Sequence, residues 1–147
     1  MKLTDALLGE HGVIYALFDH VERELPATST LEDVQRVTRV LAAALVSHAQ
    51  IEDEMLFPPL ETYLGPAGPL AVMRHEHEEI ERAIEEVANA RFFDEALERL
   101  RYALQVARDH FAKEEQILFH MAQQSIPVQD LEQLGHRWAD SRGVAVG

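Results

Sequence analysis

The segment His48-Ala49-Gln50-Ile51-Glu52-Asp53-Glu54-Met55-Leu56-Phe57 has a counterpart 62 residues later, His110-Phe111-Ala112-Lys113-Glu114-Glu115-Gln116-Ile117-Leu118-Phe119. Each copy carries a histidine, a glutamate four positions on, and Leu-Phe at eight and nine. Positions i and i+4 of an α-helix lie ~40° apart around its axis. Each copy therefore sets an imidazole beside a carboxylate on one helical face. Two such helices facing each other supply two metal half-sites, which constrains the chain to long helices packed side by side.

The rest of the chain repeats the helical signal. Leu7, Ile14, Phe18, Val21 and Leu25 recur at helical spacing, and His11 falls on their stripe. A first helix is expected over about residues 4–25, followed by a loop at Pro26-Ala27-Thr28-Ser29-Thr30. Thr30 and Asp33 resemble a capping box that opens a second helix, about 31–57. Its stripe runs through Leu41, Leu45, His48, Glu52 and Leu56, and Pro58-Pro59 kink or end it. Leu64-Gly65-Pro66-Ala67-Gly68-Pro69 is a turn, with Pro69 suited to the first position of the next helix. Helices over about 70–90 and 94–123 follow, then a short one over 129–139 whose Leu131, Leu134 and Trp138 cap the bundle. No stretch alternates with period two. The fold class is all-α: a single domain, 1–147, forming an antiparallel up-down four-helix bundle with a short C-terminal helix.

Glu10-His11 in the first helix and Glu76-His77 in the third each have Ile three residues on, at Ile14 and Ile80. Helices one and two thus echo helices three and four. This is the pattern of a duplicated helical hairpin, with an approximate two-fold axis through the bundle centre.

The chain has no cysteine, which excludes disulfides, iron–sulfur clusters and thiolate zinc sites. A net charge of −13 disfavours nucleic acid and anionic membranes as partners. No apolar run reaches the ~18–20 residues needed to cross a bilayer. The start, Met1-Lys2-Leu3-Thr4-Asp5, lacks the apolar region of a secretory signal. A cytoplasmic location is expected, and nothing in the sequence sets an oligomeric state.

Four of the eight histidines, His11, His48, His77 and His110, fall one per helix on or beside the inner face. A lone inward histidine is ordinarily a hydrogen-bonded core residue. Four of them with inward Glu52 and Glu114, and no core Lys or Arg, leave charge that a pair of metal ions would neutralise. On a regular helix Asp53, Glu54 and Glu115 turn away to solvent, Glu54 least clearly because Pro58 distorts that turn. His75 lies ~200° from His77 and is exposed unless the helix is wound wide. Tyr15, four after His11, packs as a core aromatic or hydrogen-bonds a metal-bound oxygen, or ligates; Glu81 is a weaker candidate of the same kind. His20, His120 and His136 read as surface or helix-end residues.

Imidazole and carboxylate without thiolate suit Fe, Mn or Zn. Six side chains for two metals leave open positions where an exogenous oxygen species binds. No histidine has a glutamate three before it, so the Glu-x-x-His pattern of ferritin-like bundles is absent. So are His-Glu-x-x-His, phosphate-loop and dinucleotide-binding patterns.

These residues resemble the hemerythrin-like family, the HHE cation-binding domain. The resemblance rests on Glu10-His11, on His48-x3-Glu52 running into Leu56-Phe57-Pro58, on Glu76-His77, and on His110-x3-Glu114 running into Leu118-Phe119. It covers nearly the whole chain, including the short last helix that members often carry. It implies a non-haem di-iron centre, oxo- or hydroxo-bridged, with Zn or Mn as substitutes. His11, His48, His77 and His110 would be terminal ligands, and Glu52 and Glu114 bridging carboxylates. Oxygen-carrying members have a further histidine four before the third-helix ligand. Here that position is Met73, so one iron lacks a ligand or His75, Tyr15 or Glu81 stands in.

The function expected is a di-iron protein that binds or responds to O2, NO or peroxide, a metal- and oxygen-binding protein rather than a dedicated enzyme. The alternatives are an iron donor or an iron-homeostasis or iron–sulfur-repair protein, a peroxide- or NO-consuming di-iron enzyme, and a structural bundle with zinc or no metal.

Overall fold

The structure, a computed structural model, describes residues 1–25 and 30–146. The expected loop at Pro26–Ser29 lies outside the described residues. Helix α1 spans Leu3–Glu24. Helix α2 (31–64) begins as Leu31–Ile51, passes through a π-helical turn at Glu52–Leu56, and continues as Phe57–Leu64. Helix α3 spans Pro69–Asn89. Helix α4 (93–125) repeats the design of α2: Phe93–Lys113, a π-helical turn at Glu114–Leu118, then Phe119–Ser125. Helix α5 spans Val128–Arg142. No strand occurs among the described residues. The first four helices form the antiparallel bundle, and α5 lies against α1. No helix is long and apolar enough to cross a membrane.

Local chemistry sets the boundaries. Thr30 Oγ1 accepts from the Asp33 amide at 3.2 Å, and Asp33 Oδ2 accepts from the Thr30 amide at 3.0 Å, which closes the capping box of α2. Gly65 (φ 76°) and Gly68 (φ 69°) take left-handed backbone conformations in the α2–α3 turn, and Pro69 opens α3.

Helix α2 does not end at Pro58-Pro59. The prolines occupy the first turn of the segment that follows the π-helical turn, where missing N–H groups cost little. Helix α4 makes the same π-helical turn without proline, so the turn goes with the His-x3-Glu segment and not with Pro58.

Two apolar clusters fill the bundle, one toward each end. One gathers Leu3, Leu7, Leu60, Leu70, Phe119 and Leu131 among others, and the expected caps Leu134 and Trp138 pack on it. The other includes Phe18, Val34, Leu41, Leu100, Leu104 and Phe111. Between them lies a layer of buried His and Glu side chains.

Helix α5 approaches the N-terminus backbone to backbone. A Cβ built on Gly135 would come 2.2 Å from the Met1 carbonyl oxygen. Gly12, by contrast, sits in mid-helix on α1 with nothing within 4 Å. Gly135→Ala is therefore expected to destabilise the chain by about 1–3 kcal/mol through overpacking. Gly12→Ala is expected to stabilise it by about 0.5–1 kcal/mol through helix propensity. Denaturant titration of both variants checks the pair; a neutral Gly135→Ala would mean that α5 does not dock against the first residues.

Candidate metal centre

The layer is built from one histidine per bundle helix. His11, His48, His77 and His110 are each 7% exposed or less, and Glu52 and Glu114 are 0% exposed. They form two groups, His11-His48-Glu52-Glu114 and Glu52-His77-His110-Glu114, with donor atoms in each lying within 4.8 Å of one another. Both glutamates belong to both groups.

The imidazoles present Nε2 to the carboxylates. His11 Nε2 lies 3.2 Å from Glu114 Oε2, and His48 Nε2 lies 3.3 Å from Glu52 Oε1. His77 Nε2 lies 3.3 Å from Glu52 Oε2, and His110 Nε2 lies 2.9 Å from Glu114 Oε1. The Nε2 atoms of His11 and His48 approach to 3.0 Å.

The outward nitrogens each face a carboxylate. His11 Nδ1 donates to Glu115 at 2.8 Å, His48 Nδ1 to Glu10 at 2.7 Å, and His110 Nδ1 to Glu76 at 2.8 Å. His77 Nδ1 lies 3.4 Å from Asp53 Oδ1, within charge–charge range but without hydrogen-bond alignment. The arrangement follows the duplication. Glu10 and Glu76, each just before the first histidine of a hairpin, serve the second histidine of the same hairpin. Asp53 and Glu115, each just after the shared glutamate, serve the first histidine of the other hairpin. An outward nitrogen held by a carboxylate fixes the ring and leaves Nε2 free as a metal donor.

Glu115 therefore does not turn away to solvent as a regular helix requires, whereas Asp53 stays half exposed as expected, with one oxygen near His77. In an α-helix, position i+5 lies ~140° from i. The π-helical turns close with i→i+5 bonds, from the Phe57 amide to the Glu52 carbonyl and from the Phe119 amide to the Glu114 carbonyl. The widened turn lets consecutive acids, Glu52-Asp53 and Glu114-Glu115, both reach the layer. Sequence reasoning also gave Glu10 and Glu76 no role, although the repeated Glu-His dipeptide was the signal that marked them. Glu54 is exposed and accepts from Gln50, as a solvated face requires.

The motif phenylalanines brace the same rings. Phe57 stacks on His77 at 5.5 Å, and its counterpart Phe119 lies 5.5 Å from His11. Phe111 stacks on the other face of the set, 3.9 Å from His11 and 8° from parallel.

The structure does not bring His75 or Tyr15 into either group. His75 is exposed on the outer side of α3, which is regular there and keeps i and i+2 on opposite sides. Tyr15 packs edge-on to His11 and Phe111 as a core aromatic. Burial, then the Glu115 charge, pushes its hydroxyl up to about 12, which keeps it a neutral phenol. Glu81 is exposed, and Met73 is buried in the apolar cluster at one end.

The electrostatics favour positive charge at the ring nitrogens, whether a proton or a metal cation supplies it. Burial pulls the His48 imidazole down, but Glu52 and Glu10 outweigh it and push it up to about 10. For His77, burial is likewise outweighed, by Asp53 and Glu52, and the ring is pushed up to about 10. Burial pushes the Glu10 carboxyl up, yet donors on His48, Arg142 and Trp138 bring it down to about 2.

Among the described residues, the buried side-chain polar atoms without a hydrogen-bond partner all belong to this layer. They are both oxygens of Glu52 and of Glu114, both ring nitrogens of His77, and Nε2 of His110. Buried polar groups are ordinarily satisfied, so a cluster of orphans marks where a bound species belongs. The histidine and carboxylate donors fit a pair of divalent or trivalent cations. A cavity of about 20 Å³ touches His48, His77 and His110, is otherwise walled largely by apolar side chains such as Leu45, Ile80, Ile84 and Phe111, and is also lined by the exposed Glu81. It is large enough for one water molecule.

Comparison with known proteins agrees with this geometry. A curated relative, described as a DNA nickase from Nostoc sp., is 25% identical over 134 residues. That alignment covers 90% of this chain but only 37% of the relative, so the chain spans little more than a third of that protein's length. No solved structure matches the chain. The family model described as the Hemerythrin HHE cation binding domain matches residues 2–122, which hold all six residues of the buried layer. The chain belongs to the hemerythrin HHE cation-binding domain family.

Proposed function

We propose that the chain is a non-haem di-iron protein that binds or responds to O2, NO or peroxide. One observation carries this reading: two fully buried glutamates, each shared by two histidine pairs, whose oxygens have no hydrogen-bond partner. His11 and His48 would hold one iron, His77 and His110 the other, with Glu52 and Glu114 bridging. Two imidazoles and two carboxylate oxygens give each cation four protein donors. This is fewer than a six-coordinate ion takes, so positions stay open for an exogenous ligand. Bound iron supplies electron exchange with such a ligand. The chain supplies four oriented imidazoles, two carboxylates that would bridge, and a largely apolar wall beside them.

The small cavity beside His48, His77 and His110 suits a small ligand such as a diatomic molecule or peroxide. Met73 in place of a further histidine disfavours reversible O2 carriage and favours a sensing or peroxide- or NO-directed role. Iron donation is the alternative, because an incomplete ligand set releases iron more readily. Zinc or manganese would fit the same donors. The proposal keeps a cytoplasmic setting, where ferrous iron is available for assembly. A nucleic-acid role of the kind named for the Nostoc relative is not part of it, because a net charge of −13 repels phosphate.

Reconstitution with ferrous iron under anaerobic conditions is expected to give two irons per chain and a melting temperature above that of the metal-free protein. Fewer than two metals per chain would sink the di-iron reading. Exposing the reduced protein to O2, NO and H2O2 separates the roles: a stable reversible oxy band means carriage, turnover means an enzyme, and loss of iron to a chelator means donation.

The site geometry also ranks three acidic variants. Glu114→Ala removes a donor shared by both groups and is expected to abolish two-metal binding. Glu115→Ala frees His11 Nδ1 and removes the carboxylate beside the Tyr15 hydroxyl but takes away no shared donor, and is expected to weaken binding by about 10–100-fold. Glu54→Ala should leave binding unchanged. Metal titration reads all three, and equal losses for Glu114→Ala and Glu54→Ala would show that the inward face has been misassigned.

A further inference from the structure

Helix α5 lies beyond residue 122, where the family match ends, yet it reaches the buried layer. Trp138 Nε1 and Arg142 Nε both donate to Glu10 Oε1 at 2.7 Å. The other oxygen, Oε2, accepts from His48 Nδ1 at 2.7 Å. Arg142 also donates through Nη1 to Ser47 Oγ at 2.7 Å and through Nη2 to the Ser47 carbonyl at 3.0 Å. Ser47 is the residue before His48. One guanidinium thus grips both the carboxylate that orients His48 and the backbone that carries it. A planar fork of this kind is rigid and directional.

The helix is anchored so that this grip is defined. Leu131 and Leu134 are buried in an apolar cluster, and Gly135 meets the backbone of the first residues. At the other end Gly143, at φ 66°, terminates the helix, and the Val144 amide donates to the Ala139 carbonyl at 2.8 Å.

The duplicated position shows what is special here. Glu76 is the counterpart of Glu10 and holds His110. Its cation is Lys113, a half-exposed residue of α4 itself. Among the described residues, nothing outside the four-helix bundle holds Glu76 in the way that α5 holds Glu10. The two halves of the centre share their donors but differ in what supports them.

We infer that Trp138 and Arg142 are positioning residues for the His11-His48 half of the centre, acting through Glu10, so that docking of α5 sets the affinity of one cation site and not the other. This rests on the two-cation reading above. It makes the C-terminal helix a control on metal occupancy: a chain with α5 displaced keeps the His77-His110 site and loses grip on its neighbour.

The test uses the full chain and zinc(II) as a diamagnetic probe. Stepwise zinc binding is measured against a competing chelator, and nitrogen-15 spectra of the histidine rings follow the Nδ1 protons of His48 and His110. In Arg142→Gln, one zinc step is expected to weaken by about 10–100-fold while the other keeps its wild-type affinity. Solvent exchange of the His48 Nδ1 proton should speed up, and that of His110 should not change. Trp138→Phe keeps an aromatic side chain but loses the indole N–H, leaves the Arg142 grip in place and should move the same signals less, which covers the case in which Arg142→Gln fails to fold. Arg142→Lys should restore part of the lost affinity, because one donor to Glu10 remains. Equal weakening of both steps, or an unchanged His48 proton in both Arg142→Gln and Trp138→Phe, overturns the inference. A wild-type chain that binds fewer than two zinc ions overturns instead the metal-centre reading on which it rests.

Discussion

Two carboxylates at zero exposure are the constraint on which the structure turns. Glu52 and Glu114 lie between two apolar clusters, and among the described residues their ion-pair partners are histidines alone, with no Lys or Arg. Removing an ionised carboxylate from water costs several kcal/mol per ion even after relaxation. A fold that buries two of them without a fixed cation needs positive charge from a bound species. The four imidazoles, the orphaned oxygens and the small cavity beside them are consequences of meeting that need in the middle of a bundle.

The duplicated hairpin makes this economical. Each hairpin contributes one first-helix histidine, one second-helix histidine and one shared glutamate. The same two-fold logic extends one layer outward, where Glu10 and Glu76 act within their own hairpins and Asp53 and Glu115 act across to the other. The π-helical turns give that outer layer its reach. They add a residue to the winding at the point where the acid after each shared glutamate comes within reach of a ring on the other hairpin. Phe57 and Phe119, the last residues of the repeated motif, brace the rings that the opposite hairpin supplies. One departure from symmetry lies in the partners of Glu10 and Glu76, where α5 enters on one side only.

Much of this was legible in the sequence. The four bundle helices, the short fifth helix and the capping box at Thr30 follow from apolar spacing and turn chemistry, and the inward placement of His48, Glu52, His110 and Glu114 follows from the i, i+4 rule. What the sequence hid came from assuming regular α-helix. A 3.6-residue winding sends Glu115 to solvent, and Pro58-Pro59 read as a kink or an end of α2; the π-helical turns bring Glu115 to His11 and let α2 run on to Leu64. Glu10 and Glu76 were visible as a repeated dipeptide, but their partners lie on other helices, so only the packing reveals that they orient His48 and His110. The grip of Arg142 on Glu10 is 132 residues distant in sequence and left no local signal. His75, by contrast, sits where the regular wheel places it, on the outer face.

The chain belongs to a family named for cation binding, the buried layer holds donors fit for a metal, and iron is the reading to test first. The most direct measurement is anomalous X-ray scattering at the iron edge from crystals of the iron-loaded chain. Two anomalous peaks are expected, one between the Nε2 atoms of His11 and His48 and one between those of His77 and His110, both flanked by Glu52 and Glu114. A single peak, or peaks outside the six-residue layer, would contradict the account.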